Sequence, residues 1–170
     1  MKTLIFIALF SLTTSIFAQE FNNKITDEKT KNEILIGLCN KQGFLETSFT
    51  NWFKIEYDAY HPDVEIIKQL KPYADKYKIT VIMGTWCSDS RREIPRFFKV
   101  MDYAGYSPNS LKIICVDTQK KAPETDISIL KIEKVPTIII SDYTKELGRI
   151  IETPTKTIES DLLNILQKDK

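Results

Sequence analysis

The residue with the clearest chemical potential is Cys87, within the segment 85–90 that reads TWCSDS. This segment lies between an apolar run at 79–83, which predicts a buried strand, and a helix predicted to begin at Ser88. A helix start presents unpaired backbone N–H groups and the positive end of the helix dipole, which together favour a thiolate. Because the thiolate is the nucleophilic form of cysteine, Cys87 is the candidate nucleophile. The alternative is a buried cysteine that merely precedes a well-capped helix, since Ser90-x-x-Glu93 fits a capping box.

The other two cysteines and the single histidine are weaker candidates for a catalytic role. Cys115 lies in an apolar run at 112–116, so we expect it to be inert in the core. Cys39 ends another apolar run beside polar residues, which predicts partial exposure and makes it the possible resolving partner of Cys87. Such a pair would require Cα atoms within about 7 Å of each other. His61 precedes a proline at a helix start, where a surface or capping role is favoured over a catalytic one.

Composition excludes several classes of function. The 24 basic and 23 acidic residues nearly balance, so no basic excess is present to bind a nucleic acid. Three cysteines without a Cys-x-x-Cys pair, together with one histidine, do not form an ordinary zinc site. No glycine-rich phosphate loop is present. We therefore expect no metal and no cofactor.

The first 18 residues have the pattern of a secretory signal. Lys2 precedes an apolar run at 4–12, and Ala18 ends the segment on a small residue before polar sequence. The apolar run is too short to span a bilayer, which needs roughly 20 residues. We expect cleavage after Ala18, export to the periplasm or the exterior, and no integral membrane segment afterwards. A retained N-terminal anchor is the alternative.

The rest of the chain predicts one α/β domain over residues 34–170, preceded by a flexible polar lead-in at 19–33. Pro72 should break the second helix. The last two strands should form an antiparallel hairpin, and the mixed sheet should be covered on both faces. The strands are expected at 34–38, 79–83, 111–116, 137–140 and 146–151, and the helices at 49–60, 62–77, 88–103, 125–132 and 157–167.

The sequence from about residue 79 to 168 resembles the thioredoxin-fold family. The resemblance rests on Trp86-Cys87-x-x-Ser90 after an apolar strand, on Pro95 five residues later, and on Val135-Pro136 at the start of a later strand. It implies a three-layer α/β fold, a central mixed sheet flanked by helices, with an extra N-terminal helical segment. It also implies that Pro136 is cis, and that Trp86, Val135 and Pro136 shape a substrate groove.

The resemblance implies a thiol–disulfide oxidoreductase acting on protein or peptide thiols and disulfides. Ser90 stands where the family has its resolving cysteine, so Cys87 would act as a monothiol nucleophile, with Ser90 donating a hydrogen bond to its thiolate. Two alternatives remain open, a resolving cysteine elsewhere in the chain and a non-catalytic peptide-binding module on the same scaffold. A glutathione or iron–sulfur role, as in monothiol glutaredoxins, is less favoured because of the export signal.

Overall fold

A computed structural model describes residues 20–74, 76–123, 125–142 and 144–168 of the chain. Its strands and helices are interspersed along the chain and the strands form one mixed sheet, so the chain is an α/β protein. The strands are β1 (Asn23–Thr26), β2 (Glu33–Cys39), β3 (Lys78–Met83), β4 (Leu111–Cys115), β5 (Thr137–Ser141) and β6 (Glu146–Ile151). The helices are α1 (Lys41–Phe44), α2 (Thr50–Ala59), α3 (Val64–Leu70), α4 (Ser88–Ala104) and α5 (Ile158–Gln167).

The six strands form one mixed sheet in the order β1-β2-β4-β3-β5-β6. Strands β3 and β4 are parallel, and every other neighbouring pair is antiparallel. The β5–β6 hairpin is therefore confirmed. Strands β3 and β4 end side by side, and the N–H of Val116 donates to the carbonyl of Met83 at 2.8 Å. This end of the sheet, from which the chain continues into the 85–90 segment, positions the candidate nucleophile.

The four longer helices pack together on one face of the sheet. Helix α4 contacts α2, α3 and α5, and α5 also contacts α3 and β6. These helices cover alternate strand residues such as Val81 and Ile113. The opposite face carries Ile82 and Ile114, which pack against side chains of the segment 122–132. The expectation that helices flank both faces is therefore wrong for the described residues.

The second face lacks a helix because the predicted helix at 125–132 does not form. Only a short 3₁₀ turn is present, at Ser128–Leu130. Lys131 follows in the left-handed conformation, with φ of 50°, which ends the turn. The Asp126 side chain accepts the N–H of Ser128 at 2.9 Å, a local bond that competes with longer helix formation.

The lead-in expected at 19–33 contains β1 and is part of the sheet. Strand β1 pairs antiparallel with β2, and all four of its residues are exposed. Its polar composition therefore reflects an exposed edge strand. The buried carboxylate of Asp27 accepts the N–H of Thr30 at 2.7 Å and the hydroxyl of Thr118 at 3.1 Å. This carboxylate closes the β1–β2 turn and ties it to the loop that follows β4.

The expected aromatic face of α2 is confirmed. Phe49 and Phe53 are buried, while Trp52 packs at the margin of the same core. The expected break at Pro72 is also observed, since α3 ends at Leu70 and a 3₁₀ turn follows. Across the described part of the chain, no helix combines the length and apolar character needed to cross a bilayer. The predicted signal at 1–18 lies outside the described residues.

Candidate functional site

Cys87 occupies the N-cap position of α4 and is partly exposed. Its thiol donates to the carbonyl oxygen of Val135, with 3.2 Å between sulfur and oxygen. The Val135–Pro136 peptide bond is cis, as the sequence predicted. The fold thus brings together two parts of the proposed site that are 48 residues apart in the chain. The side chains of Val135 and Pro136 are buried, so this turn contacts Cys87 through its backbone, at the Val135 carbonyl.

Trp86 is held rigidly beside the nucleophile. Its indole N–H donates to the carbonyl of Val116 at 2.8 Å, and its ring packs against the second face of the sheet. The ring also lies directly over Gly84, where an added Cβ would collide with the indole. Gly84 is therefore required by this close approach. Trp86 presents its remaining, half-buried surface next to Cys87.

Ser90 is fully buried, and its contacts differ from those expected. Its oxygen accepts the N–H of Gly84 at 3.3 Å, and within the described residues no hydrogen bond joins it to Cys87. The capping box of the alternative interpretation is also absent, because Cys87 and not Ser90 is the N-cap of α4, and the Glu93 carboxylate binds Arg92, with 2.6 Å between Oε1 and Nε. Ser90 thus fixes the turn that carries the nucleophile.

Thr85 and Arg91 hold the same turn through contacts that the sequence did not predict. The buried Thr85 hydroxyl oxygen accepts the N–H of Leu35 in β2 at 3.2 Å. The Thr85 carbonyl accepts Nε of Arg91 at 2.5 Å. The available signals were their position close to Cys87 and the positive charge of Arg91 in the first turn of the helix.

Cys39 and Cys115 lie together on the helix-covered face, whereas Cys87 packs against the other face. Cys39 is only 3% exposed, so the expected partial exposure is wrong. Burial, with a further contribution from neighbouring Cys39, raises the pKa of the Cys115 thiol well above its usual value. All three cysteines are free thiols, and the structure does not bring Cys39 to Cys87.

His61 is exposed and precedes α3, whose N-cap is Asp63. Over the described ranges, no group of three or more His, Cys, Asp and Glu side chains is arranged to hold a metal ion.

Comparison with known proteins finds structural likeness and no family. No family model and no curated protein matches this sequence. Solved structures that this chain matches in the comparison include the protein of unknown function PA1234 from Pseudomonas aeruginosa, with a TM-score of 0.51 and 15% identity over 69% of this chain and 81% of that one. Another is an HIV epitope-scaffold, with a TM-score of 0.49 and 15% identity over 68% and 81% of the respective chains. The chain therefore shares an α/β fold with the Pseudomonas aeruginosa protein.

Proposed function

We propose that this chain is an exported, thioredoxin-like thiol–disulfide oxidoreductase in which Cys87 is the nucleophile. One observation carries the proposal: Cys87 is partly exposed at the start of a 17-residue helix, and its sulfur lies 3.2 Å from the carbonyl before a cis-proline. Unpaired N–H groups at such a helix start stabilise a developing thiolate. The other two cysteines are buried and lack this environment.

The first step would be attack of the Cys87 thiolate on one sulfur of a substrate disulfide. A bond forms between the two sulfurs, the substrate S–S bond breaks, and the second substrate sulfur leaves as a thiolate. The Cys87 proton, which the Val135 carbonyl accepts in the resting structure, is transferred to solvent or to the leaving sulfur. The product is a mixed disulfide between Cys87 and the substrate.

Release of that mixed disulfide requires a second thiol. Ser90 has none, and Cys39 packs on the far side of the sheet. An external thiol would therefore attack the mixed disulfide, free the reduced substrate and leave Cys87 bonded to the external sulfur. A further external thiol would then restore Cys87 and depart as a disulfide. The sum is reduction of one substrate disulfide by two external thiols.

A second candidate function is a peptide-binding module without redox turnover. It is favoured by Ser90 at the resolving position, which is buried, accepts the N–H of Gly84 and supplies no thiol to release a mixed disulfide. Such a protein would hold an extended peptide at the same site and form no lasting covalent adduct.

Trapping of an oxidised protein substrate on non-reducing gels tests the proposal. We expect the wild type to form a long-lived mixed disulfide and Cys87→Ser to form none. Ser90→Cys should shorten the adduct lifetime, because a thiol one turn away can attack it. Ser90→Ala is the matched control, since it loses the same bond to Gly84 without gaining a thiol. Cys39→Ser should leave the lifetime unchanged.

Each contrary result has a definite meaning. If the wild type forms no adduct although Cys87 reacts with a small alkylating reagent, the binding-module function replaces the oxidoreductase. If Cys39→Ser lengthens the adduct lifetime, Cys39 is a resolving cysteine and the protein uses two cysteines.

A further inference from the structure

A groove of about 330 Å³ opens beside the candidate nucleophile, between α2 and α4. Trp86 and Ser88, the two chain neighbours of Cys87, both line it. Trp52 and the exposed side chain of Ile55 form an apolar wall on α2. A molecule that reacts with Cys87 can therefore place a neighbouring group in this groove.

The charges around the groove leave one cation unneutralised. Arg92 pairs with Asp89 at 2.9 Å, and Arg96 pairs with Glu56 at 2.7 Å. Arg91 also lines the groove, yet no carboxylate pairs with it anywhere in the described part of the chain. The groove thus combines an apolar wall with a single unpaired guanidinium.

Arg91 is also held in place before any ligand arrives. Its Nε donates to the carbonyl of Thr85 at 2.5 Å, and its guanidinium carbon lies 5.9 Å from the ring centre of Trp52. The two terminal amino groups of the guanidinium are left to bind a ligand. A planar guanidinium binds a carboxylate through two parallel hydrogen bonds, and a preorganised side chain loses little entropy on binding.

We propose that this groove binds an acidic side chain of the polypeptide whose disulfide Cys87 attacks, with Arg91 contacting the carboxylate. The proposal rests on the function proposed above and specifies its substrate class. The carboxylate would lie against Arg91, and the adjoining methylene groups would lie against Trp52 and Ile55. Substrate cysteines with Asp or Glu nearby in the chain should therefore react fastest.

The test uses synthetic peptides whose single cysteine carries a neutral 2-thiopyridyl group, so that attack by Cys87 releases thiopyridone. One peptide has Asp on both sides of the cysteine and its partner has Asn at both positions. At low ionic strength we expect the Asp peptide to react about two- to fivefold faster with the wild type, the range of an exposed ion pair. Salt should reduce this ratio.

Three variants separate the local contact from the general charge of the surface. Arg91→Gln should bring the ratio of the two rates close to one, and Arg91→Lys should retain part of it. Lys54→Gln is the matched control, because it removes a positive charge from an exposed position on α2 that does not line the groove. The ratio should persist in that variant.

The outcomes distinguish failure of the subsite from failure of the chemistry. A wild-type ratio of one, or a ratio that survives in Arg91→Gln, overturns the subsite. If no peptide reacts, the oxidoreductase function fails. The subsite is then tested by binding alone: Cys87→Ser is titrated with versions of both peptides in which serine replaces the cysteine, and tryptophan fluorescence reports their affinities. Tighter binding of the Asp version upholds it, and equal binding overturns it. If a small dicarboxylate disulfide shows the Arg91-dependent preference over its diamide while the peptides do not, the polypeptide assignment is wrong.

Discussion

Removing the hydroxyl of Thr85 should destabilise the turn that carries Cys87. Strand β4 pairs with β2 only over Gly37–Cys39, so the N–H of Leu35 lies beyond the end of that ladder. The Thr85 hydroxyl accepts this N–H at 3.2 Å, and both residues are fully buried. Thr85 therefore takes the place of a strand partner at the point where β2 passes the candidate site.

The substitution Thr85→Val keeps the side-chain shape and deletes the acceptor. A buried N–H that loses its partner costs about 1–3 kcal/mol, so the free energy of unfolding should fall by that amount. Thr85→Ser is the control, because it keeps the oxygen and loses one methyl group, which is worth about 0.8 kcal/mol. We expect Val to be the more damaging of the two substitutions.

Urea unfolding of both variants measures these changes, and hydrogen exchange at the amide of Leu35 reports the bond directly. Thr85→Val should speed exchange at Leu35 more than Thr85→Ser does. The reasoning is refuted if Thr85→Val unfolds within about 0.5 kcal/mol of the wild type, the range of a neutral surface change, while Leu35 stays protected.

Three further substitutions test other parts of the account. Gly84→Ala should lower the free energy of unfolding in urea by about 1–3 kcal/mol and slow alkylation of Cys87, because the new methyl group displaces the Trp86 ring. Unchanged stability would contradict the close packing of Trp86 on Gly84. Hydrogen bonds from Thr30, first from its N–H, and then from Thr118 hold the pKa of Asp27 below its usual range. The contribution of Asp27 to stability is therefore full above about pH 4 and is lost as the pH falls through the lower pKa of the folded state. Asp27→Asn should therefore flatten the loss of stability below about pH 4 in acid titrations of the melting temperature, and an unaltered profile would argue against it. Cys115→Ala should lower the unfolding free energy by about 1 kcal/mol or more and leave thiol reactivity unchanged, whereas slower trapping would show a role for this buried thiol.

Local patterns in the sequence were sufficient to predict much of the fold. The apolar run at 79–83 and the helix after Cys87 form where predicted, because strand length and helix periodicity are properties of neighbouring residues. Cys115 is buried as predicted, since it lies within a continuous apolar strand. The cis bond before Pro136 was also predicted, from the family resemblance and from the position of this proline at the start of a strand.

Features that depend on distant partners were predicted less well. Strand β1 forms because it pairs with β2, whereas its exposed polar residues, taken alone, predict a loop. The orientation of Cys39 depends on which face of the sheet the helices cover, which the sequence around it does not encode. The Ser90 oxygen accepts the N–H of Gly84, a contact that depends on how the chain folds back within the turn and that the order of residues does not show.

The groove beside Cys87 was missed for the same reason. Trp52 was predicted as a core aromatic on α2, and it does pack against the core, yet its position opposite Arg91 arises from the packing of α2 on α4. Arg91 and Arg92 are equivalent in the sequence. Only the structure shows that Arg92 is paired with Asp89 and that Arg91 contacts Thr85 and Trp52.

The central claim is that Cys87 alone captures a disulfide. Peptide mapping by mass spectrometry, after brief incubation of the native protein with a substoichiometric amount of an oxidised peptide, tests this most directly. We expect the adduct on Cys87 and none on Cys39 or Cys115. An adduct on either buried cysteine, or no adduct while the same protein alkylates readily at Cys87, would contradict the account.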